Sequence, residues 1–284
     1  MTRPEPITPA DLAEVGAFLN ANLNPRISAA DWTGSFAHAW AESQPNHGML
    51  MRDGGRLVGV FCAIYSDQWV DGRLERFCNP HSWCVLNDYR SQSIGLILPL
   101  LRQGGYHFTM YTPNPKVAEI FRGLKFRDLD DRLYYFPNLP GLGGLPRDGF
   151  VESDPARIAG RLQGPLLRDF ETHRRIPWLT FVAFGRPDDP CLLIFKHDVA
   201  KKLPCARIIH LSDPGALQRY GGAVRRHLLF TRGLPVSRIE ARFVSSPPSL
   251  AVLRQRLQPK LVQSKTLQDS QFRDVYSELA ALDV

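Results

Sequence analysis

The residues best suited to chemistry lie between a strand-like segment and a helix-like one. An apolar run at residues 83–86 passes through Asn87, Asp88 and Tyr89, and a pattern with helical period begins near residue 93. The segment between them is Arg90-Ser91-Gln92-Ser93-Ile94-Gly95. Helix N-termini attract anions, and small residues let a ligand approach the backbone. The segment predicts a phosphate or pyrophosphate site, and the alternative is an ordinary strand–helix turn with a serine cap.

The bulk composition is that of a folded protein and narrows the class of ligand. The chain has 284 residues, 44% hydrophobic and 22% charged, and a net charge of +7, so we expect one large or two ordinary domains. The positive charge is either spread over solvated faces or serves an anionic ligand such as a phosphate-bearing cofactor. The chain lacks dense Lys/Arg runs and basic strands interleaved with aromatics, so we do not expect nucleic-acid binding.

The sequence also predicts a cellular compartment. No window contains 18 consecutive apolar residues, and the N-terminus has no charged-then-apolar leader, so we expect neither a membrane span nor a membrane partner. Five cysteines are scattered without CxxC spacing. This favours free thiols in a reducing cytoplasm and no metal site.

A stretch rich in proline and glycine divides the chain. We predict an N-terminal unit at 1–136, a linker at 137–149 and a C-terminal unit at 150–284. The first unit should contain two helices, a hairpin around Asp53-Gly54-Gly55, and then strand, helix, strand, helix and a last strand at 133–136. The C-terminal unit has a similar order of elements, although its sequence is not a clear repeat of the first. It should end in a helix at 249–257 and a C-terminal helix. We therefore predict that each unit is an α/β fold with a mixed, mostly antiparallel sheet. The alternative is that the similar order of elements in the two units is a coincidence.

The order of elements and two motifs over residues 5–136 resemble the acetyl-coenzyme A-dependent GNAT (GCN5-related N-acetyltransferase) acyltransferases. Their pyrophosphate loop reads [QR]-x-x-G-x-[GA], which Arg90 to Gly95 follow, except that Ser93 replaces a glycine. In their later helix motif, Asn114, Ala118 and Phe126 match. The resemblance implies two tandem GNAT-like units. The second is degenerate, because its corresponding loop does not fit the motif in register.

The resemblance implies an acyl-CoA site and an amine acceptor. It implies a pantetheine arm lying along the strand before the loop, at Cys84, Val85 and Leu86, with the pyrophosphate at Arg90, Ser91, Gln92, Ser93, Ile94 and Gly95. Asn114 and Phe121 would complete this site. This sequence departs from the family's helix motif at two positions, which makes efficient catalysis less expected. Phe121 lacks the hydroxyl with which a tyrosine often protonates the leaving thiolate, and Lys125 replaces the glycine before Phe126.

Three side chains are candidates for catalysis. His81 and Glu75 precede the loop and can act as bases, and Tyr134 can act as the missing acid. Each also has a structural interpretation: a hydrogen-bonded histidine, a solvated strand residue and a packed aromatic. Tyr111 and Tyr135 are further candidates for the acid. Cys84 is interpreted as a core residue.

Three functions remain open at this point. The first is an N-acyltransferase that moves an acetyl or other acyl group from acyl-CoA to a small amine, such as an amino sugar or amino acid. The second is a non-catalytic protein of the same fold that binds a ligand or partner. The third is a tandem relative that uses another donor.

Overall fold

The structure is a computed structural model that describes residues 3–139, 146–256 and 258–283. The strands, in chain order, are β1 Pro4–Pro6, β2 Gly48–Asp53, β3 Arg56–Val70, β4 Arg73–Val85, β5 His107–Met110, β6 Arg127–Asp128, β7 Leu133–Pro137, β8 Phe150–Glu152, β9 Leu179–Arg186, β10 Asp189–Ala200, β11 Leu203–Leu211, β12 Val236–Glu240, β13 Val252–Arg254 and β14 Leu261–Gln263.

The α-helices are α1 Leu12–Asn22, α2 Ala29–Gly34, α3 Ile94–Leu101, α4 Pro115–Gly123, α5 Pro155–Ile158, α6 Gly164–His173, α7 Ala216–Phe230 and α8 Glu278–Ala281. Short 3-10 helices span Pro9–Asp11, Asn87–Gln92, Ala159–Arg161, Ala241–Phe243, Asp269–Gln271 and Asp274–Tyr276. In the part of the chain that the structure describes, no helix has both the length and the apolar character needed to cross a membrane.

The chain folds into two compact units, each with its own seven-stranded sheet. The first unit comprises the described part of Met1–Leu129, together with Gln258–Leu267 and Tyr276–Val284. Its strands run in the order β1-β2-β3-β4-β5-β14-β6, and the second sheet runs β13-β7-β12-β11-β10-β9-β8. In the first sheet only β4 and β5 pair in parallel, and in the second only β11 and β12 do. The predicted mixed, mostly antiparallel sheets are confirmed.

Both faces of the first sheet are covered by helices. The alternating side chains of β3 explain this, because Phe61 points to one face and Val60 and Cys62 point to the other. One face packs against α3 and α4, and the opposite face packs against α1 and α2. The β2–β3 hairpin turns at Gly54 and Gly55, whose φ angles of 55° and 85° are the left-handed values of the tight turn predicted there.

The division of the chain differs from the predicted one. The strand expected to finish the first unit, β7, lies in the second sheet between β13 and β12. In its place β14, from the C-terminal part of the chain, lies between β5 and β6. The chain therefore enters the second unit before the predicted linker and later returns to the first. The centre of that linker, residues 140–145, lies outside the described residues.

Strand β4 has a β-bulge close to its end. Val60 pairs with Cys84 and Cys62 pairs with His81, so Phe61 alone faces both Ser82 and Trp83. Ser82 has a left-handed φ of 51°. Strand β4 pairs with β5 only at Phe77↔His107 and Cys78↔Phe108 among the described residues. The last part of β4 therefore leaves β5, and the sheet opens between them.

The second unit repeats this plan. Its β11 has a bulge near the end, where consecutive residues of β10 pair with His210 and Ile208. Strand β11 pairs in parallel with β12 over only three residues, Cys205 to Arg207. The prediction of a helix at 249–257 is wrong, because strand β13 forms there and pairs with β7. Backbone pairing across the unit outweighs the helix-start signal of the preceding prolines.

Candidate functional site

The predicted anion-binding segment lies directly after β4 and leads into α3. Residues 87–92 form a 3-10 helix, and α3 follows at Ile94. The backbone N–H of Ser93 donates to the carbonyl of Arg90 at 3.1 Å. Arg90, Ser91 and Ile94 are exposed, and Gln92, Ser93 and Gly95 are half-buried. A side chain at Gly95 would meet no protein atom within 4 Å. The segment therefore offers a helix start, one cation and open space beside the backbone.

The end of β4, directly before this segment, is hydrogen-bonded to β3 along one edge, and its other edge is open. Val85 pairs with Gly59, and the N–H of Leu86 donates to Val58 at 3.0 Å. The opposite edge, beyond Cys78, has no ladder with β5 among the described residues. Cys84 is buried in the core that faces α1 and α2, and burial raises the pKa of its thiol to about 11, although the charge of Arg90 partly opposes this shift. Its thiol is therefore protonated near neutral pH, as expected for a core residue.

A pocket of about 470 Å³ lies where β4 and β5 separate, and all the residues that line it belong to the first unit. Its walls are mainly apolar and come from both faces of the sheet; they include Ile27, Trp32, Phe61, Trp83, Met110 and Val117. Polar side chains converge on the same space, among them His81, Thr112, Asn114 and Glu278. A concave apolar space with a few convergent polar groups is the usual form of a small-molecule site.

His81 lies in this pocket beside the bulge. The side chain is 2% exposed, and its Nδ1 lies 2.9 Å from the hydroxyl of Ser82. Its Nε2 is buried and has no hydrogen-bond partner among the described residues. Burial lowers the pKa of His81 to about 3. The imidazole is therefore neutral near pH 7 and can accept a hydrogen bond at Nε2.

Glu278, the first residue of α8, is a site residue that the sequence analysis missed. The carboxyl group is 3% exposed, and its Oε1 accepts a hydrogen bond of 2.8 Å from the hydroxyl of Thr112. Its backbone N–H donates to Asn79 Oδ1 at 3.1 Å. The second oxygen, Oε2, is buried and has no partner among the described residues. Burial raises the pKa of Glu278, and the hydrogen bond from Thr112 and the charge of Lys260 partly oppose the shift.

Two of the predicted catalytic residues lie away from this pocket. Glu75 lies six residues before His81 on β4, which is about 20 Å along an extended strand. Its carboxylate is 3.1 Å from the Nε2 atom of His107 and does not line the pocket. Tyr134 lies on β7 of the second unit and packs against that unit's core. The structure does not bring these two residues to the pocket, because β4 extends Glu75 away from the bulge and β7 joins the other sheet.

The α4 residues matched to the GNAT motif have mainly structural contacts. Asn114 accepts a hydrogen bond of 3.0 Å from the N–H of Val117, so it caps α4, and it also lines the pocket. Phe121 is fully buried, with its ring 6.0 Å from that of Phe61 and 5.0 Å from that of Phe126. It is a core residue and does not line the pocket.

The two other tyrosines have different surroundings. Tyr111 is buried in the first unit, with the ammonium of Lys260 4.7 Å from its ring centroid. Tyr135 lies on β7, where its hydroxyl accepts a hydrogen bond of 3.3 Å from Arg238. Neither residue lines the pocket, so the structure does not supply the missing acid from this set.

The corresponding region of the second unit contains buried polar side chains that contact one another. His210 occupies the position after the β11 bulge, and burial lowers its pKa to about 3. The carboxylate of Asp169, which binds Arg273, lies 3.9 Å from its Nε2. His173 is fully buried and contacts the carbonyls of Asp169 and Val275. Asp169 and His173 are therefore held by contacts within the second unit, whereas Nε2 of His210 is buried without a hydrogen-bond partner among the described residues.

Comparison with known proteins identifies the fold. No protein-family profile matches the chain, and no curated protein sequence matches it. Solved structures do. A GCN5-related N-acetyltransferase from Anabaena variabilis matches with a TM-score of 0.62 at 12% identity, over 92% of this chain and 72% of the other. One from Kribbella flavida matches with a TM-score of 0.57 at 15% identity, over 92% and 70%. Eis1 from Mycobacterium abscessus matches with a TM-score of 0.52 at 12% identity, over 93% and 73%. The chain therefore has the GNAT fold, in two tandem units.

Proposed function

We propose that the first unit is an N-acyltransferase that moves an acyl group from acyl-CoA to the amine of a small molecule. One observation supports this most strongly. The bulge opens the sheet between β4 and β5, a pocket lies at this opening, and the end of β4 leads through a 3-10 helix into the start of α3. The GNAT fold of the chain agrees with this proposal. The buried cysteines, which are free, agree with the reducing compartment predicted above.

The residues present fit an acyl-CoA molecule. The open edge of β4 offers backbone groups with which an extended pantetheine arm can pair as an added strand. The start of α3 and Arg90 provide N–H groups and positive charge for the pyrophosphate. Gly95 leaves space beside that backbone. Ser93, in place of a glycine, is small and its hydroxyl can donate to a phosphate oxygen.

The proposed chemistry requires one bond to form and one to break. Acyl-CoA supplies the activated carbonyl: the acceptor nitrogen bonds to the acyl carbon, the carbon–sulfur bond breaks, and the sulfur leaves with one of the nitrogen's protons. An alkylammonium must first lose another proton. With a pKa of about 3, His81 is a poor acceptor for it, because transfer from a group of pKa ~10 is uphill by roughly 10 kcal/mol.

The two buried polar groups of the pocket therefore have different roles in this proposal. The raised pKa of Glu278 makes its carboxylate a better proton acceptor than His81. Nε2 of neutral His81 accepts a hydrogen bond from the attacking nitrogen and orients it. A backbone N–H of the open β4 edge is the donor that we expect for the carbonyl oxygen.

Two glycines with equally open surroundings make the cofactor claim testable. Neither Gly95 nor Gly104 has a protein atom within 4 Å of an added Cβ, so leucine at either site should be tolerated by the fold. If coenzyme A occupies the space at Gly95, Gly95→Leu lowers its affinity more than tenfold in calorimetry, while Gly104→Leu leaves the affinity unchanged. A ligand at 100 times its Kd should raise the melting temperature of the natural protein by about 5–11 °C.

Transfer itself is measured by mass spectrometry of a panel of amines incubated with acetyl-CoA. Equal coenzyme A binding by both leucine variants would contradict the proposed binding mode. Binding without transfer to any amine would leave the non-catalytic ligand-binding role as the better description.

A further inference from the structure

We propose that Glu278 binds the ammonium group of the acceptor, so that the pocket selects a primary amine whose other atoms are uncharged and largely apolar. This inference rests on the proposed function, because it names the class of molecule that accepts the acyl group. It depends on three features of the pocket: one unpaired carboxyl oxygen, a wall without cations, and a neutral neighbouring imidazole.

The first feature is the arrangement of the Glu278 carboxyl group. The hydroxyl of Thr112 fixes Oε1, and the contact between the backbone of Glu278 and Asn79 fixes the start of α8. Oε2 remains buried and unpaired beside the pocket. A buried carboxyl oxygen without a partner is costly, and an ammonium group brings both a hydrogen-bond donor and the opposite charge.

The second feature is the remainder of the wall. Among the described residues that line the pocket, Glu278 is the only acid, and none is a lysine or an arginine. Most of the others are apolar. A molecule with a carboxylate or phosphate of its own would bury that anion without a cationic partner, whereas an alkyl or aromatic body gains from contact with the apolar wall. The pocket therefore favours amines with an apolar body over amino acids and phosphorylated amines.

The third feature is the charge of the groups around Glu278. His81 is neutral near pH 7, because burial lowers its pKa to about 3, so it does not repel a cation. Lys260 is fully buried, with its ammonium over the ring of Tyr111, and it does not line the pocket. Burial raises the pKa of Glu278, and the charge of Lys260 opposes this shift in favour of the ionised form, which is the form that binds an ammonium group.

The test uses three probes of similar shape on the full chain saturated with coenzyme A. Phenethylamine has the ammonium and an apolar body, 2-phenylethanol lacks the charge, and phenylalanine adds a carboxylate. By calorimetry at pH 7.5 we expect phenethylamine to bind at least about tenfold more tightly than either of the others, which is a typical gain for a buried charged hydrogen bond.

The variant Glu278→Gln keeps the oxygen that accepts from Thr112 and removes the charge. We expect it to weaken phenethylamine binding at least about tenfold and to leave the affinities for 2-phenylethanol and coenzyme A within twofold. Glu75→Gln is the matched control, because Glu75 is also partly buried in the first unit but does not line the pocket. Glu75→Gln should leave the affinities for phenethylamine, 2-phenylethanol, phenylalanine and coenzyme A unchanged. Asn79→Ala serves as a second variant, since Asn79 fixes the start of α8 and its hydrogen bond lowers the pKa of Glu278, so its removal should weaken phenethylamine binding.

Several results would overturn the inference. Equal affinity for phenethylamine and 2-phenylethanol, or unchanged amine binding in Glu278→Gln, would contradict it. Tighter binding of phenylalanine than of phenethylamine would do the same. Competition between phenethylamine and the acyl chain of octanoyl-CoA would make the pocket an acyl-chain site. The two proposals fail separately. Phenethylamine binding that depends on Glu278, with no coenzyme A binding, would refute the proposed function and retain the amine site.

Discussion

The substitution Phe121→Tyr adds a hydroxyl group at residue 121. It tests whether this position takes part in catalysis, as the GNAT motif implies, or only packs in the core, as the structure indicates. In the GNAT motif the position often holds a tyrosine that protonates the leaving thiolate, so Phe121→Tyr would be expected to speed up turnover. In the structure the ring is fully buried between Phe61 and Phe126 and does not line the pocket. A buried hydroxyl without a partner costs about 1–3 kcal/mol of unfolding free energy. That cost corresponds to a drop of about 2–12 °C in melting temperature for a unit of this size.

We therefore expect Phe121→Tyr to destabilise the first unit without raising the turnover number. Urea denaturation followed by tryptophan fluorescence measures the free energy, and acetyl transfer to the best amine of the panel measures turnover. Phe230→Tyr is the control, because Phe230 is 71% exposed and its substitution should change stability by no more than about 0.5 kcal/mol. A Phe121→Tyr protein that is as stable as the natural one and turns over faster would refute the reasoning, because its hydroxyl would then have to reach the reacting sulfur.

Four further substitutions test the local structure around the site. Lys125 has a left-handed φ of 68° at the end of α4, so Lys125→Gly should stabilise the unit by about 1 kcal/mol in urea denaturation. By contrast, Lys116→Gly inside α4 should destabilise it by a similar amount. Asn114→Ala removes the cap of α4 and should cost about 1 kcal/mol in the same assay. Because burial lowers the pKa of His81 to about 3, the unfolded chain binds the extra proton between that pH and about 6.5. Stability should therefore decrease as the pH is lowered through this window, with His81 contributing up to about 1.4 kcal/mol per pH unit, and His81→Gln should remove that contribution.

The elements that the sequence predicted correctly are those determined by neighbouring residues. Gly54 and Gly55 specify the β2–β3 turn through their left-handed φ angles. Asn114 and Pro115 specify the start of α4 in the same local way. The strand–loop–helix order was likewise predictable from neighbouring residues, and the predicted ligand-binding segment follows the end of β4.

The parts that were predicted wrongly depend on pairing between distant residues. Strands β7 and β14 are short, and nothing in their own sequences indicates which sheet each one joins. Their partners decide it, such as Ile239 opposite Tyr134 and Thr109 opposite Val262. Glu278 was missed for the same reason, since its contact with Asn79 joins residues 199 positions apart. A segment with the sequence pattern of a plain C-terminal helix gives no local signal that its first carboxyl group reaches a pocket lined mainly by residues of the first 129 positions.

The distribution of unsatisfied polar atoms supports the choice of this pocket over other parts of the first unit. Buried polar atoms in native proteins are nearly always hydrogen-bonded, and exceptions concentrate where the molecule binds something. In the described residues, His81 Nε2, Glu278 Oε2 and the indole nitrogens of Trp32 and Trp83 are buried without partners, and all four residues line the same pocket. Packing alone does not explain two unsatisfied ionisable side chains in one apolar space, because each makes the unbound fold less stable. A ligand that donates to both the imidazole and the carboxylate removes this cost, as the proposed amine would.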